Sequence, residues 1–274
     1  MPLGARRERK IGRWFVDVAV LVKQIPDPEA PADFDPETRT LVRSGGLVLD
    51  DSDSYGVEMA LRLVEQAGGG EVTLVSMVPD GESSGLRTAL AMGAAKAVVV
   101  SDPRLAGSDA LGTAKVLAAV VRRIGADLVV AATESTDGYT GTVPVQLAEL
   151  LGLPSVSFAR HVEVGATGLR VERQTEGGYD EVICPLPAVV TVTAGVVEVR
   201  YPSFKGIMGA KSKPVEQLGL ADLGIDPAEV GAVGARQEVV SIEPVGERAA
   251  GEVVVDDGEG YRRILALLEE WKVL

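Results

Sequence analysis

A polar segment that follows an apolar run has the residue types of an anion-binding loop. Residues 127–132 form an apolar run of strand length, and residues 133–142 are mostly Thr, Ser, Glu, Asp and Gly. Apolar residues then recur at helical spacing from Val143 onward, with Thr140 at the expected N-cap. Free N–H groups and the positive dipole end of a helix attract anions. We therefore predict a nucleotide phosphate here; the alternative is that these residues only form a turn and cap the helix.

The other chemically versatile residues do not form a recognisable catalytic group. The sequence has one histidine, His161, and one cysteine, Cys184, and both occur within short β-prone runs. GESSG at 81–85 matches a nucleophile elbow, but no base or oxyanion motif accompanies it. Neither a dinucleotide fingerprint nor a Walker A motif occurs. We expect a binding or carrier protein rather than an enzyme, and we expect no metal site.

The composition limits the partners of the protein. With 274 residues the chain can bury a full core, and its formal net charge of −13 would repel a nucleic-acid backbone. A single cysteine excludes a disulfide framework and fits a reducing compartment. No apolar run approaches the ~20 residues that cross a bilayer. We expect no nucleic-acid partner and no membrane insertion.

Residues 1–15 bear on the expected subcellular location of the protein. Residues 1–15 are basic and irregular, which indicates a disordered basic tail. The absence of Ser from residues 1–14 and the presence of Glu8 disfavour an organelle-targeting segment. We expect a bacterial cytoplasmic protein in preference to one of the mitochondrial matrix.

The apolar runs predict an α/β fold that would position the anion site. Val-rich runs typical of buried strands lie at 16–23, 72–77, 97–100, 127–132 and 187–193. Amphipathic helices are expected between the first four runs, which gives parallel strands and ligands beyond their carboxyl ends. Antiparallel additions are expected as a hairpin within 38–50 and as hairpins across 156–173.

Two later segments have the character of contact surfaces. Residues 194–213 mix aromatic, aliphatic and basic residues without a clean period, which suggests either a partner contact or an ordinary loop packed on the sheet. Residues 225–274 are acidic and Gly-punctuated until an amphipathic stretch at 261–274. We expect a nucleotide-binding domain over 16–224 and a C-terminal linker and helix arm, 225–274, that docks on a partner subunit.

Four segments together resemble the β subunits of the electron transfer flavoproteins. They are VERQTEGGYDEVICPLPAVVT at 171–191, the first strand at 16–23, LRTALAMGAA at 86–95 and RYPSFKGIMGAKSK at 200–213. This many motifs in the same order make chance agreement improbable. The resemblance implies a Rossmann-like parallel sheet of the adenine-nucleotide α-hydrolase-like type.

The resemblance also implies the work of an electron carrier. An α subunit would hold most of the FAD in a heterodimer. The pair would carry electrons from acyl-CoA dehydrogenases, as in fatty acid β-oxidation, and from other flavin dehydrogenases to a quinone oxidoreductase. The common type of β subunit buries one AMP as a structural ligand, whereas electron-bifurcating relatives hold a second FAD in its place. Both ligands stay open at this point.

Residues of two sites follow from the same resemblance. The nucleotide would lie against the ends of the first two strands, the start of the first helix and the loop before the fourth helix. Those AMP-binding residues are Leu21, Asp50, Asp51, Ser52, Asp53, Met77, Ala132, Thr133, Glu134, Ser135, Asp137, Gly138, Tyr139, Thr140, Gly141 and Thr142. A loop that docks the dehydrogenase would contain Tyr201, Ser203, Phe204, Lys205, Ile207, Met208 and Lys211. The loop part of the nucleotide site coincides with the anion site inferred from residue chemistry.

The chain departs from the family pattern at several positions. Asp50 and Asp51 stand where Asn-Pro is frequent, Thr142 replaces a usual Gln, and Asp180 stands where Glu or Gln is usual. Two extra carboxylates near a phosphate would weaken anion binding unless they point away from it. The alternative outside the family is a free-standing nucleotide-binding module like the universal stress proteins, which would lack the motif at 171–191 and form homodimers.

Overall fold

Valine-rich runs build the central sheet, as expected for strands that are covered on both faces. The computed structural model describes residues 15–43, 45–165, 167–243, 251–256 and 258–273. Within these residues the strands are β1 (Val18–Leu21), β2 (Gln24–Pro26), β3 (Phe34–Asp35), β4 (Thr40–Leu41), β5 (Leu47–Leu49), β6 (Val72–Val78), β7 (Lys96–Ser101), β8 (Leu128–Ala132), β9 (Ser155–Val164), β10 (Leu169–Thr175), β11 (Gly178–Cys184), β12 (Ala188–Val192) and β13 (Val215–Leu218).

The longer helices begin and end at residues that suit helix termini. The helices of the described residues are α1 (Asp51–Ala67), α2 (Leu86–Met92), α3 (Ala110–Ile124), α4 (Val143–Leu151), α5 (Phe204–Ala210), α6 (Leu220–Leu223), α7 (Gly231–Gly234) and α8 (Gly260–Glu270). Asp50 and Asp109 cap α1 and α3 by accepting hydrogen bonds from amides of the first turn. Gly68, Gly125 and Gly152 end α1, α3 and α4 in the left-handed conformation that glycine adopts readily.

One sheet joins nine of the described strands in the order β11-β10-β9-β12-β8-β1-β6-β7-β13. The seven strands from β9 to β13 pair in parallel, and β10 and β11 add an antiparallel edge. The chain runs outward from β1 through β6 to β7 and then returns to β8 on the other side of β1. Sheets of this kind bind ligands in a crevice at the carboxyl ends of the strands beside such a reversal, here β1 and β8. The predicted Rossmann-like α/β fold is confirmed.

Apolar layers cover both faces of the sheet. Val18 and Val20 of β1 pack in the layer that contains α1 and α2, while Ala19 and Leu21 pack in the layer that contains α3 and α4. Successive residues of a strand point to opposite faces, so both faces of β1 are buried. The carboxyl end of β1 therefore lies at the middle of the sheet edge where a ligand is expected.

The predicted hairpin within residues 38–50 is wrong. β4 pairs with β3, and β5 pairs with β2, so the two short runs do not pair with each other. Their partners lie upstream, in the proline-rich segment that the sequence indicates as irregular. The antiparallel additions expected after Pro154 are present, and β9 is one long strand with an irregularity where Phe158 has a φ of 59°.

The chain divides into two compact units between Glu238 and Val239, whereas the predicted arm begins at residue 225. The residues in between stay with the first unit, since the Ala232 N–H donates to the Ala106 carbonyl at 2.9 Å and the Arg236 N–H to Asp109 at 2.7 Å. The second unit contains α8. The predicted tail lies outside the described residues except for Phe15. In the part of the chain that is described, no helix is long and apolar enough to span a bilayer.

Candidate functional site

The carboxyl edge of the sheet gathers the residues of the predicted nucleotide site. Leu21 and Ala132 are the last residues of β1 and β8, and Met77 is next to last in β6. The loop of residues 133–142 leaves β8 at this edge, and the first turn of α1 begins beside it. The fold therefore brings together segments that lie more than a hundred residues apart in the chain.

Asp50 joins the loop to the start of α1. One of its carboxylate oxygens accepts a hydrogen bond from the Ser52 N–H at 3.0 Å, as an N-cap does. The other oxygen accepts from the Thr136 N–H at 2.7 Å and from the Thr136 hydroxyl at 3.1 Å. Asp50 is completely buried. Both oxygens thus accept hydrogen bonds within the chain, which fixes the carboxylate between the loop and the start of α1.

Two cations lie at the same loop. Lys23 lies two residues after the end of β1, and its Nζ lies 2.6 Å from Asp137 Oδ1 and 3.2 Å from the Ser135 hydroxyl. The Arg43 guanidinium binds the other oxygen of Asp137. Burial raises the pKa of Asp137, but the two cations outweigh burial and leave the pKa below its usual value. The loop therefore has a neutralised carboxylate and two partly exposed positive groups.

Sequence reasoning missed these two cations and Thr136. Lys23 could have been found, because it is the last residue of the predicted first strand run, 16–23, at the edge where ligands bind. Arg43 gives no such signal, since only the fold brings it next to a residue that is 94 positions away.

Helix α4 begins two residues later than the Thr140 cap predicts. Its N-cap is Thr142, whose side chain makes no capping hydrogen bond. Gly141, at a φ of 65°, separates Thr140 from the helix. The first turn therefore keeps the amides of Val143 and Val145 without partners inside the helix, and Pro144 has no amide. An uncapped helix start is suited to receive an anion.

A buried side-chain atom near this helix start also lacks a partner. The Oε1 atom of Gln146 is buried and has no hydrogen-bond partner among the described residues, while its Nε2 donates to the Thr142 hydroxyl at 3.3 Å. Buried polar atoms are normally paired in folded proteins. This oxygen can accept a hydrogen bond only from a donor group of a ligand, whereas the cations and the uncapped amides suit an anionic group. The residues present thus fit a ligand that has both a donor group and an anionic group.

Asp53, in the first turn of α1, is a second buried carboxylate of the candidate site. It is 5 % exposed, and its Oδ2 accepts from the Lys23 N–H at 2.5 Å. Burial raises the pKa of Asp53 well above its usual value, and the charges of Asp50 and Asp137 add to the rise. The hydrogen bond from Lys23 only partly offsets this effect. The charged form of Asp53 therefore costs folding free energy.

Replacing this carboxylate should stabilise the fold. The raised pKa means that the folded state holds the Asp53 proton more tightly than the unfolded state, so this group lowers stability as pH rises above 3.8 toward the folded-state pKa. We expect Asp53→Asn to melt at a higher temperature than the wild type at about pH 8, and the difference to shrink toward about pH 5. Thermal melts across this range measure it, with Asp51→Asn at an exposed position of the same turn as the control. A variant that melts lower than wild type at every pH would contradict this account.

The predicted docking loop is partly helical. We use the name docking segment for residues 201–213, which contain α5. Ser203 caps α5 by accepting from the Gly206 N–H at 3.1 Å. The apolar side chains Tyr201, Phe204, Ile207 and Met208 are 96 %, 81 %, 51 % and 59 % exposed. Ser203, Lys205 and Lys211 are also exposed. A cluster of exposed apolar residues next to basic ones is typical of a protein-binding surface.

The remaining chemically versatile residues lie apart from both sites. His161 is exposed on β9, with its Nε2 3.6 Å from Glu163. Cys184 is buried in the core, and burial raises the pKa of its thiol, which makes the thiolate scarce. Within the described ranges, no group of three His, Cys, Asp or Glu residues could hold a metal ion.

Comparison with known proteins agrees with this architecture. A family model described as "Electron transfer flavoprotein domain" matches residues 38–223. A Mycobacterium tuberculosis protein named "Electron transfer flavoprotein subunit beta" is 38% identical over 266 residues, which cover 95% of this chain and 100% of the relative. A Thermoanaerobacterium thermosaccharolyticum protein of the same name is 37% identical over 240 residues, which cover 87% and 92% of the two chains.

A further relative has a different name. The Acetobacterium woodii "Caffeyl-CoA reductase-Etf complex subunit CarD" is 31% identical over 239 residues, which cover 86% of this chain and 91% of the relative. The family match extends from the segment before α1 to the end of α6, so it includes the docking segment and all of the candidate nucleotide site except Leu21 and Lys23. The chain therefore belongs to the electron transfer flavoprotein β-subunit family.

Proposed function

We propose that this chain pairs with an α subunit that holds most of the FAD, and that the heterodimer carries electrons from acyl-CoA dehydrogenases and other flavin dehydrogenases to a quinone oxidoreductase. The observation that carries the proposal is the combination, in a chain of this family, of a polar crevice at the β1–β8 edge and a separate exposed docking segment. FAD supplies the redox chemistry when bound, and this chain covers it and presents the docking surface. The bacterial relatives support a bacterial cytoplasmic location.

AMP is the ligand that we assign to the crevice. The amides of Val143 and Val145 and the Lys23 ammonium offer donors for a single phosphate group. The carboxylates of Asp50 and Asp137 are occupied by hydrogen bonds or ion pairs within the chain. The adenine would lie against the apolar strand ends at Leu21 and Met77. A second FAD, as in bifurcating members of the family, is the competing ligand, and counting bound nucleotides separates the two.

The docking segment is where we place the contact with the electron donor. Phe204 stands at the first position of α5 and projects the largest exposed apolar group of that helix. Exposed aromatic side chains at the centre of an interface provide much of its binding energy. Lys205 and Lys211 flank this anchor and suit an acidic surface on a partner.

Co-expression with an α subunit tests the proposal directly. We expect a heterodimer whose flavin is reduced when catalytic amounts of an acyl-CoA dehydrogenase and its substrate are added. The control is the α subunit alone, which should accept electrons poorly. A stable homodimer of this chain that forms no complex with the α subunit would support a free-standing nucleotide-binding module instead.

The second unit should contribute to binding of the α subunit. Helix α8 has exposed apolar residues on a short amphipathic helix, among them Ile264 and Leu265 at 59 % and 45 % exposure. Truncation after Glu238, at the boundary between the units, should weaken the heterodimer at least about tenfold because it removes this apolar surface. Titration of labelled α subunit measures the affinity. Ile264→Ser should reproduce part of the loss and Glu269→Ser should not, whereas unchanged affinity of the truncated chain would contradict the arm's role.

A further inference from the structure

A buried glutamate in α1 holds the chain at the start of the docking segment. Glu58 is 1 % exposed, and its Oε2 lies 2.6 Å from Nε of Arg200 while its Oε1 lies 3.1 Å from Nη2. The backbone N–H of Arg200 also donates to Oε2, at 3.4 Å. Arg200 immediately precedes Tyr201, the first residue of the docking segment. The side chain and the backbone of Arg200 are thus both bound by one carboxylate.

The Glu58 carboxylate also binds a second cation, Arg62. Arg62, one turn further along α1, binds Glu58 Oε1 at 2.8 Å and donates to the Glu198 carbonyl at 2.8 Å. Burial raises the pKa of Glu58, but hydrogen bonds from Arg200 and Arg62 outweigh it and hold the pKa below its usual value. A charge in such a buried place is tolerated only when it is fully paired. Helix α1 therefore holds both residues 198 and 200.

The other end of the docking segment is fixed on α2. Lys213 Nζ donates to the carbonyls of Leu90 and Ala94, both at 2.7 Å, and Arg87 donates to the Ala210 carbonyl at 2.9 Å. A Cβ atom at Gly206 would lie 2.4 Å from the Ala91 carbonyl oxygen, so only glycine allows α5 to approach α2 this closely. The segment is therefore a preformed surface, and its orientation is set at both ends.

We propose that Glu58 is a positioning residue for electron transfer: by holding Arg200, it sets the angle at which Phe204 is presented to the electron donor protein. The inference rests on the proposed docking role of residues 201–213. A preformed binding surface avoids the entropy loss of ordering a loop on contact, so affinity for the donor depends on this pair. Arg200 acts as the link, with its guanidinium between the buried Glu58 and the exposed Glu65.

The experiment uses the FAD-loaded heterodimer with Glu58→Gln and, separately, Arg200→Gln. Flavin reduction by an acyl-CoA dehydrogenase is followed at increasing carrier concentrations. We expect KM for the carrier to rise about tenfold in both variants, with kcat and reduction by dithionite unchanged. Glu65→Gln is the matched control, because Glu65 also binds Arg200 but is exposed and should contribute little.

A double-mutant cycle and hydrogen exchange separate positioning from general destabilisation. Glu58→Gln combined with Arg200→Gln should have a KM no higher than either single variant, since both remove the same link. Amides of α5 should exchange faster in both variants, while those of β1 and β8 should keep their protection. If Glu58→Gln does not fold, Arg200→Gln still tests the link because its side chain is partly exposed.

Phe204→Ala in the same assay separates the docking role of the segment from the positioning role of Glu58. Unchanged KM in Phe204→Ala would overturn the docking role itself. If Phe204→Ala raises KM but Arg200→Gln leaves it unchanged, only the positioning role of Glu58 is overturned. The same holds if the effects of Glu58→Gln and Arg200→Gln on KM add in the double variant.

Discussion

The Gly141→Asp variant should lose the crevice nucleotide. Gly141 lies just before α4, and a Cβ atom there would be 3.3 Å from Glu134 Oε2. An added carboxylate about 4 Å from a phosphate costs about 4 kcal/mol at an effective dielectric near 20, and screening by solvent reduces this cost. We therefore expect nucleotide affinity to fall at least about a hundredfold, which corresponds to about 3 kcal/mol. Quantifying nucleotide released from purified heterodimer measures the loss.

The control for this variant lies at the other end of the same helix. Gly152 ends α4 with a φ of 66°, nearly equal to the 65° of Gly141, and a Cβ atom there meets nothing within 4 Å. Gly152→Asp thus introduces the same backbone strain and the same charge away from the crevice. It should retain the nucleotide. Equal retention in both variants would place the phosphate elsewhere.

The Phe204→Ala variant should slow electron transfer from the dehydrogenase while its flavin content stays the same. Phe204 is 81 % exposed and is one of four exposed apolar side chains of the docking segment. Truncating an anchor of this kind costs about 2 kcal/mol or more of binding, which corresponds to a KM for the carrier that rises about thirtyfold. Steady-state reduction of the heterodimer by an acyl-CoA dehydrogenase measures the change.

A control for this variant comes from an exposed apolar residue in another part of the first unit. Val233 on α7 is 85 % exposed. Val233→Ala should change neither transfer nor flavin content. If Phe204→Ala transfers electrons as fast as the wild type, the docking segment is misassigned, and the further role of Glu58 loses its basis.

The sheet could be predicted from the sequence because its strands are marked locally. Buried parallel strands such as β1, β6 and β8 have continuous Val-rich runs, and caps such as Asp50 and Gly68 mark the ends of the helix between two of them. The edge that holds the candidate site follows from parallel connectivity alone. These features need no knowledge of distant contacts.

The predictions from sequence are wrong where a strand pairs with a distant segment or where a glycine sets the backbone conformation. β4 and β5 look like one hairpin, yet each finds its partner in the proline-rich segment upstream. Thr140 looks like a cap, yet Gly141 in the left-handed region delays α4 until Val143. Helix α5 was hidden because Gly206 and Gly209 lower helix propensity and its apolar side chains face solvent.

The ion pairs of the site were also beyond local patterns. The contact between Arg43 and Asp137 spans 94 residues, and the one between Glu58 and Arg200 spans 142. Nothing in the sequence near these residues marks their charges as paired. Only the fold brings each acid next to its arginine. The same holds for Asp50, because only the fold brings Thr136 within hydrogen-bonding distance of its carboxylate.

Counting the nucleotides in the purified heterodimer tests the central claim most directly. The complex of this chain with its α subunit is denatured, and the released nucleotides are separated by chromatography and quantified against the protein. The account predicts one AMP for each FAD, with the AMP lost in Gly141→Asp and kept in Gly152→Asp. Two FAD and no AMP would assign the crevice to a second redox centre, and one FAD with no other nucleotide would contradict the structural ligand altogether.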